Sequence, residues 1–220
     1  MKKYFIYAIG EILLIMIGIL LALKVNTMQE NQIKRSDELT VYKTIRDQIK
    51  NYKAILEKDF YFNKSYMAQF EYAHSIIERN DRTQTDTLGK IASQLINFSD
   101  FDGTGDIYET IVHSGEVKLL GNAAIVDEVR KLEEQFLLIN RSETIHYEFI
   151  RTYVVSSLKN NVQFETGRLQ NPEALFETEF QNIILISLKI MGEKDEAYHT
   201  AIRDITRIVH LINEELEKGG

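Results

Sequence analysis

Three of the five histidines follow a glutamate by three residues, a spacing that places both side chains on one face of a helix. The pairs are Glu71/His74, Glu143/His146 and Glu196/His199. Helical di-iron carboxylate proteins use this spacing, but they aim two such pairs and further glutamates at one core. Only Glu143 and His146 lie close to an apolar stripe, so these two are weak metal candidates. The spacing otherwise favours surface pairs and a polar notch in one helix.

A second acidic pattern runs from Asp100 to Asp106, with acidic residues at alternate positions and glycine at the bend. This order is typical of the start of a calcium-binding loop. Such a loop needs a bidentate Glu at its twelfth position, which is Ile111 here. The segment is therefore predicted to be an acidic turn that ends in a helix cap, with Asp106 and Glu109 at capping-box spacing.

Other chemistry has little support in the composition. The chain has no Cys, which excludes disulfides, thiolate nucleophiles and Cys-ligated metals. Neither a nucleophile elbow nor a phosphate-binding loop is present, so enzyme activity is a minority interpretation and no cofactor is predicted. The net charge is −7, and nucleic acid is not an expected partner because an acidic surface repels phosphates.

The N-terminal region contains a candidate membrane span, Tyr4 to Leu23, with one ionisable group. Its 20 residues, at about 1.5 Å each, match the hydrocarbon core of about 30 Å. A cleaved signal peptide is the alternative, but Leu20 stands where the cleavage site would need a small residue. The positive charges on the two flanks nearly cancel. Since a short cationic tail is easily retained, the domain after the span is predicted to lie outside the cytoplasm.

Within the span, small residues and one carboxyl share a helical face. Gly10, Gly18 and Ala22 fall in a stripe of four-residue steps, and Glu11 lies beside it. This pattern predicts a packed helix interface. Glu11 is interpreted as a neutral group that hydrogen-bonds a neighbouring helix, with a proton or ion site as the alternative.

The remaining sequence predicts helices throughout. From Ser36 an apolar stripe with coiled-coil-like spacing continues the membrane helix towards Arg79, with residues 59–65 as the expected kink or break. Further helices are predicted to end at Ser114 and near Lys159. Asn171 and Pro172 are predicted to start a new helix, which Gly192 interrupts. No alternating strand pattern is found.

The predicted fold class is therefore all-α, with one N-terminal transmembrane helix that continues into a long helix and a helical bundle. The predicted division is a tail (1–3), a transmembrane helix (4–23), a stalk and first long helix (24–80) and the remainder of the bundle (81–220).

Two blocks of the sequence are distinctive: YAIGEILLIMIGILLALKVN, followed by QEN, and the stretch from Ile107 to Val129. Both resemble an uncharacterised family of single-pass membrane proteins that is abundant in Bacteroidota, especially flavobacteria. The resemblance implies a Gram-negative inner membrane and a periplasmic helical domain. The chain departs from the family at Thr27 and Met28, where members usually have Trp at the membrane boundary. Asp86-Thr87-Leu88 also resembles the short sequence at which Bacteroidota O-glycosylate exported proteins, which makes Thr87 a weak glycosylation candidate.

Three functions follow as hypotheses. The first is a non-enzymatic, membrane-anchored interaction module that assembles with itself or with other envelope proteins, motivated by the face around Glu11 and the coiled-coil spacing. The second is a ligand-sensing helical bundle that acts through a partner subunit, since three cytoplasmic residues cannot carry a signalling domain. The third is a di-iron or other metal-binding protein. No sequence feature establishes a biochemical activity.

Overall fold

The computed structural model describes residues 2–101, 103 and 106–218, and for residues 2–9, 11 and 12 it describes the backbone only. The all-α prediction is confirmed. The α-helices are α1 Lys2–Glu78, α2 Thr85–Ser93, α3 Ile107–His113, α4 Ala123–Phe149, α5 Val155–Leu158 and α6 Thr178–Glu217, with a π-helix at Ile150–Val154 between α4 and α5. Short 3-10 helices lie at Arg82–Gln84, Gln94–Ile96, Glu116–Leu119 and Glu173–Phe176.

Helix α1 is continuous from Lys2 to Glu78, so the break expected at residues 59–65 is wrong. The reason is packing: Leu56 and Phe70 on either side of this segment are fully buried, and Asn63 Nδ2 donates to the Met191 carbonyl of α6 at 2.8 Å. Near its N-terminus, α1 is long and apolar enough to cross a membrane. The large apolar side chains between Leu13 and Leu23 are each more than half exposed.

Helices α1 and α6 are antiparallel, because Arg35 pairs with Glu215 whereas Lys64 pairs with Asp195. Helix α4 packs on α6. The apolar stripe of α1, which has coiled-coil-like spacing, packs inside this bundle. Its Tyr42, Ile45, Ile49 and Leu56 are at most 1% exposed and belong to one hydrophobic cluster with residues of α4 and α6. The stripe therefore satisfies an intramolecular interface.

Helix α4 begins at Ala123, and the residue before it caps the helix with its side chain. Gly115 adopts a left-handed conformation (φ 78°) after α3, and the Asn122 side chain accepts a hydrogen bond from the Ala124 N–H at 3.1 Å as the N-cap. The helical path continues to Leu158, close to the predicted end at Lys159, but the π-helix within it was not predicted.

Three local features differ from expectation around α6. A two-stranded antiparallel hairpin pairs β1, Val162–Gln163, with β2, Arg168–Leu169, and strands this short carry no alternation to detect. Pro172 precedes a 3-10 helix, and α6 begins only at Thr178. Gly192 does not interrupt α6, because one helical glycine costs only about 1 kcal/mol and the buried residues on both sides outweigh that cost.

Two helical glycines should respond oppositely to alanine. A Cβ at Gly89 in α2 would collide with the Gly167 carbonyl and the Leu169 side chain of the hairpin, whereas one at Gly192 meets no atom within 4 Å. We expect Gly89→Ala to lower the free energy of unfolding by about 1–3 kcal/mol. Gly192→Ala should raise it by up to about 1 kcal/mol. Chemical unfolding followed by circular dichroism measures both, and equal effects at the two positions would contradict this packing.

Candidate functional site: a buried polar centre

Five polar side chains meet in the interior of the bundle and form what we call the polar centre: Ser99, Glu143, His146, Lys194 and Tyr198. Each is at most 5% exposed. Glu143 and His146 face inward from α4, whereas Lys194 and Tyr198 face inward from α6. Because residues three or four apart share a helical face, two pairs on two packed helices are enough to bring the four side chains together.

The polar centre separates two hydrophobic clusters. On the helical path of α4 and the π-helix it lies between Ile139 of one cluster and Ile150 of the other. On α6 it lies between Met191 of one cluster and Ala201 of the other. Asp59 and Asn63 occupy the corresponding stretch of α1, between Leu56 and Phe70. Polar residues therefore interrupt the apolar core on all three long helices at the same level.

A chain of hydrogen bonds leads from the lysine to the glutamate. Lys194 Nζ donates to Ser99 Oγ at 2.7 Å, and the Tyr198 hydroxyl donates to Glu143 Oε1. Ser99 and Tyr198 are 2.8 Å apart, so the serine hydroxyl donates to the tyrosine oxygen. Glu143 Oε2 also accepts from the Phe101 N–H at 2.6 Å, and Lys194 Nζ lies 3.8 Å from Glu143 Oε1. Each of these groups thus has a partner.

Burial shifts the proton equilibria of this centre. Burial lowers the pKa of Lys194 to about 8. The carboxyl groups of Glu143, Asp59 and Asp100 oppose this shift because they stabilise the ammonium. Burial raises the pKa of Glu143, although the Tyr198 hydrogen bond and the Lys194 charge oppose the shift. Burial, followed by the charge on Glu143, raises the pKa of Tyr198.

His146 is held neutral. Burial and then the nearby Lys194 charge lower its pKa to about 3. Its Nδ1 lies 3.5 Å from Lys194 Nζ, and a neutral ring nitrogen can accept a hydrogen bond from the ammonium. The histidine therefore acts as a polar acceptor next to a cation.

The structure brings together only one of the three Glu/His pairs. Glu143 and His146 flank Lys194, so an ammonium occupies the place that a metal bound to both would need. Glu71, Glu196 and His199 are exposed. Within the described part of the chain, no group of three or more His, Asp or Glu could hold a metal ion. Lys194 and Tyr198 lie on a mainly apolar helix face, and no local spacing marked them as partners of Glu143.

The other predicted positions lie apart from the polar centre. Gly10, Gly18 and Ala22 are exposed along α1, and the Glu11 side chain lies outside the described residues. Thr87, the glycosylation candidate, is half-buried in the first turn of α2, and its hydroxyl donates to Gln84 Oε1 at 3.0 Å.

The expected calcium-like turn is only partly described, since Asp102, Thr104 and Gly105 lie outside the described residues. Ile111, at the position where a calcium loop would have its bidentate Glu, is 5% exposed and packs in the hydrophobic core.

A second polar network, which we call the clasp, fastens α1 where it enters the bundle. Arg35 Nη1 is 2.6 Å from Glu38 Oε2, and Arg35 Nη2 donates to the Glu215 carbonyl of α6 at 2.9 Å. Glu38 Oε1 accepts from the Gly121 N–H at 2.7 Å, and Asn122 Nδ2 donates to Glu215 Oε1 at 2.9 Å. The clasp joins α1, the start of α4 and the end of α6.

No protein-family model, curated protein or solved structure matches this chain. The resemblance to the flavobacterial membrane-protein family therefore stays a prediction. The block from Ile107 to Val129 that carries part of it folds as α3, a 3-10 turn and the start of α4, and it contributes Gly121 and Asn122 to the clasp.

Removing one partner of the buried ion pair should destabilise the bundle more than removing both charges. We expect Lys194→Met to cost about 3 kcal/mol, because Glu143 then loses its counter-charge in the interior. The double variant Lys194→Met/Glu143→Gln should recover much of that loss. Chemical unfolding of the single and double variants measures the coupling, with the exposed Lys189→Met as control. Additive effects of the two substitutions would show that the pair is not coupled.

His146 should make the protein sensitive to acid. Its pKa is about 3 in the folded state, against an ordinary value of 6.5, so below pH 6.5 the unfolded chain binds a proton that the folded chain does not. The contribution of neutral His146 to the free energy of unfolding is fully present above pH 6.5, and it is lost as the pH falls towards 3. Between pH 7 and 5 the stability advantage of the native protein over His146→Gln should shrink by about 2 kcal/mol.

The control for this measurement is His210→Gln, since the side chain of His210 is 73% exposed. Its free energy of unfolding should follow that of the native protein across the same pH range. If His146→Gln also follows the native curve, His146 is not the group that binds the proton.

Proposed function

We propose that this protein is a non-enzymatic, membrane-anchored helical module that assembles with copies of itself or with other proteins of a bacterial cell envelope. In this proposal the anchor lies in the inner membrane and the bundle in the periplasm. The observation that carries the proposal is the unbroken helix α1, which contains both the candidate span and the first core helix of the bundle. The bundle is thereby held at a fixed distance and angle from the anchor.

The fixed distance can be read from the helix. The clasp begins at Arg35, so residues 24–34 form about 16 Å of exposed helix between the predicted end of the span and the bundle. A flexible tether would only localise the domain, whereas a continuous helix also sets its orientation. Assembly benefits from that orientation because less rotational freedom is lost on binding.

Less of α1 is available for assembly than its sequence pattern indicates. The apolar stripe from Tyr42 to Leu56 is buried within the chain and cannot pair with a second copy without opening the bundle. The helix before Arg35 remains, with Gly10, Gly18 and Ala22 exposed. Val25, seven residues after Gly18 and thus on the same face, is 63% exposed. The packed face is proposed to run from the span into this exposed segment.

The polar centre supports a structural rather than catalytic role. Its five side chains are at least 95% buried, and the lysine and the carboxylate are joined by hydrogen bonds within the protein. A catalytic acid must reach a substrate. Glu143 lines a cavity, but both of its oxygens already accept hydrogen bonds from the Phe101 N–H and the Tyr198 hydroxyl. Burial of a matched ionic network instead favours one arrangement of the helices over others.

Disulfide crosslinking tests the assembly face directly, because the native chain contains no Cys. Single cysteines from residue 10 to residue 32 should crosslink in membranes with a helical period that stays in phase across the end of the span. Maxima are expected near Gly18 and Ala22 and again at Val25 and Gln29, whereas Met16, Leu20 and Thr27, on the opposite face, should give minima. A profile without periodicity would refute self-assembly through α1.

Glu11 variants separate the two roles considered for this residue. In the Gly18→Cys background, Glu11→Gln should keep crosslinking because an amide still donates and accepts hydrogen bonds. Glu11→Leu should reduce it by the loss of about 1 kcal/mol per interhelical hydrogen bond. Loss of crosslinking in both variants would mean that the charge itself is required.

A further inference from the structure

A cavity of about 320 Å³ opens beside the polar centre, between α4 and the segment that precedes α3. Three aromatic residues line it: Phe98, Phe101 and Tyr147. The rings of Phe98 and Tyr147 lie 5.3 Å apart and are tilted by 48°, so they form one wall. The volume is at the lower end of the range for small-molecule sites in proteins, about 300–1,000 Å³.

The polar side chains of the cavity offer acceptors. Asn140 Oδ1 is buried and has no hydrogen-bond partner among the described residues, while its Nδ2 already donates to the Gly103 carbonyl at 2.9 Å. Thr144 Oγ1 donates to the Asn140 carbonyl at 2.9 Å, which leaves the hydroxyl oxygen as an acceptor. The carboxyl groups of Asp100 and Glu143 complete the polar lining.

The charge around the cavity is negative. Among the described residues, its lining includes two carboxyl groups and no Lys, Arg or His. Lys194 Nζ lies 3.8 Å from Glu143 Oε1, and its ammonium interacts with three carboxyl groups, those of Glu143, Asp59 and Asp100. Lys194 is the shared counter-charge of all three groups, and two of them, Glu143 and Asp100, line the cavity. Asp59 Oδ2 is also buried without a hydrogen-bond partner in the described part of the chain. A positively charged ligand would therefore be favoured in this cavity.

We propose that this cavity binds a small organic cation of the alkylammonium class. The aromatic wall would contact the alkyl groups and would bind the charge by cation–π interaction. The Asp100 carboxyl and the side-chain oxygen Oδ1 of Asn140 would face the positive centre. A bare divalent metal fits less well, since two carboxylates and one amide oxygen are fewer than the six to eight oxygen ligands that calcium takes. The proposal does not depend on assembly through α1.

The test compares two ligands of one shape. Full-length protein in maltoside micelles is titrated with choline and with 3,3-dimethylbutan-1-ol, its uncharged isostere, and binding is followed by saturation-transfer NMR. Choline should bind at least about tenfold more tightly, because the charge is the feature that the carboxylates and rings recognise. Equal binding of the two compounds would overturn the proposal, as would the absence of choline binding at millimolar concentrations.

Two variants locate the site. Asp100→Asn and Tyr147→Leu change exposed side chains of the lining, and neither residue is one of the five side chains of the polar centre. Each should weaken choline binding by about three- to tenfold. Tyr153→Leu is the matched control, because Tyr153 is 59% exposed and does not line this cavity. If all three variants bind choline as the native protein does, the cation binds elsewhere and the proposal fails. Crosslinking through α1 should be unchanged in every variant, which separates this result from the assembly hypothesis.

Discussion

The arrangement of the bundle depends on one buried ammonium group. Lys194 is 1% exposed, and a charge in that position is tolerated only when hydrogen bonds and a counter-charge replace water. Ser99 and Glu143 supply them from two other parts of the chain. Sliding α6 along α4 by one helical turn would leave the lysine and the carboxylate buried without each other. The polar centre thus selects one register among several that apolar residues alone would accept.

The same centre divides the interior into two parts. On the side of the clasp, Tyr42, Ile45 and Ile49 of α1 pack against α4 and α6. On the other side, Phe70 and Ile76 of α1 pack against α2, the hairpin region and the start of α6. Because apolar contacts are broken at this level in all three long helices, each half has its own cluster, and α1, α4 and α6 pass through both. Continuity of the helices, rather than of the core, joins the halves.

Much of the fold follows from periodicity and caps, whereas the site depends on contacts between distant parts of the chain. The stripe of α1 and the helix end at Ser114 are local signals, and the structure has both: α1 continues through the stripe and α3 ends at His113 with Ser114 as its C-cap. The continuity of α1 past residues 59–65 and of α6 through Gly192 is set by tertiary packing, which overrides local preference. Glu143 and His146 could be singled out from spacing. Their partner Lys194 could not, since 48 residues separate it from His146 and nothing near it in the sequence indicates burial.

The absence of a joint between anchor and bundle has a mechanical consequence. Between Gly18 and Gly89 the chain contains neither glycine nor proline. The hydrogen bonds of the clasp hold α1 at the point where it enters the bundle. A helix held in this way behaves as a stiff shaft. Arg35 and Glu38 link α1 to α6 and to the segment before α4, so a rotation of the candidate span would turn the bundle with it. A tilt of the span by a few degrees would swing the distal end of α1, about 65 Å beyond Arg35, through several ångströms. The two ends of α1 therefore move as one lever.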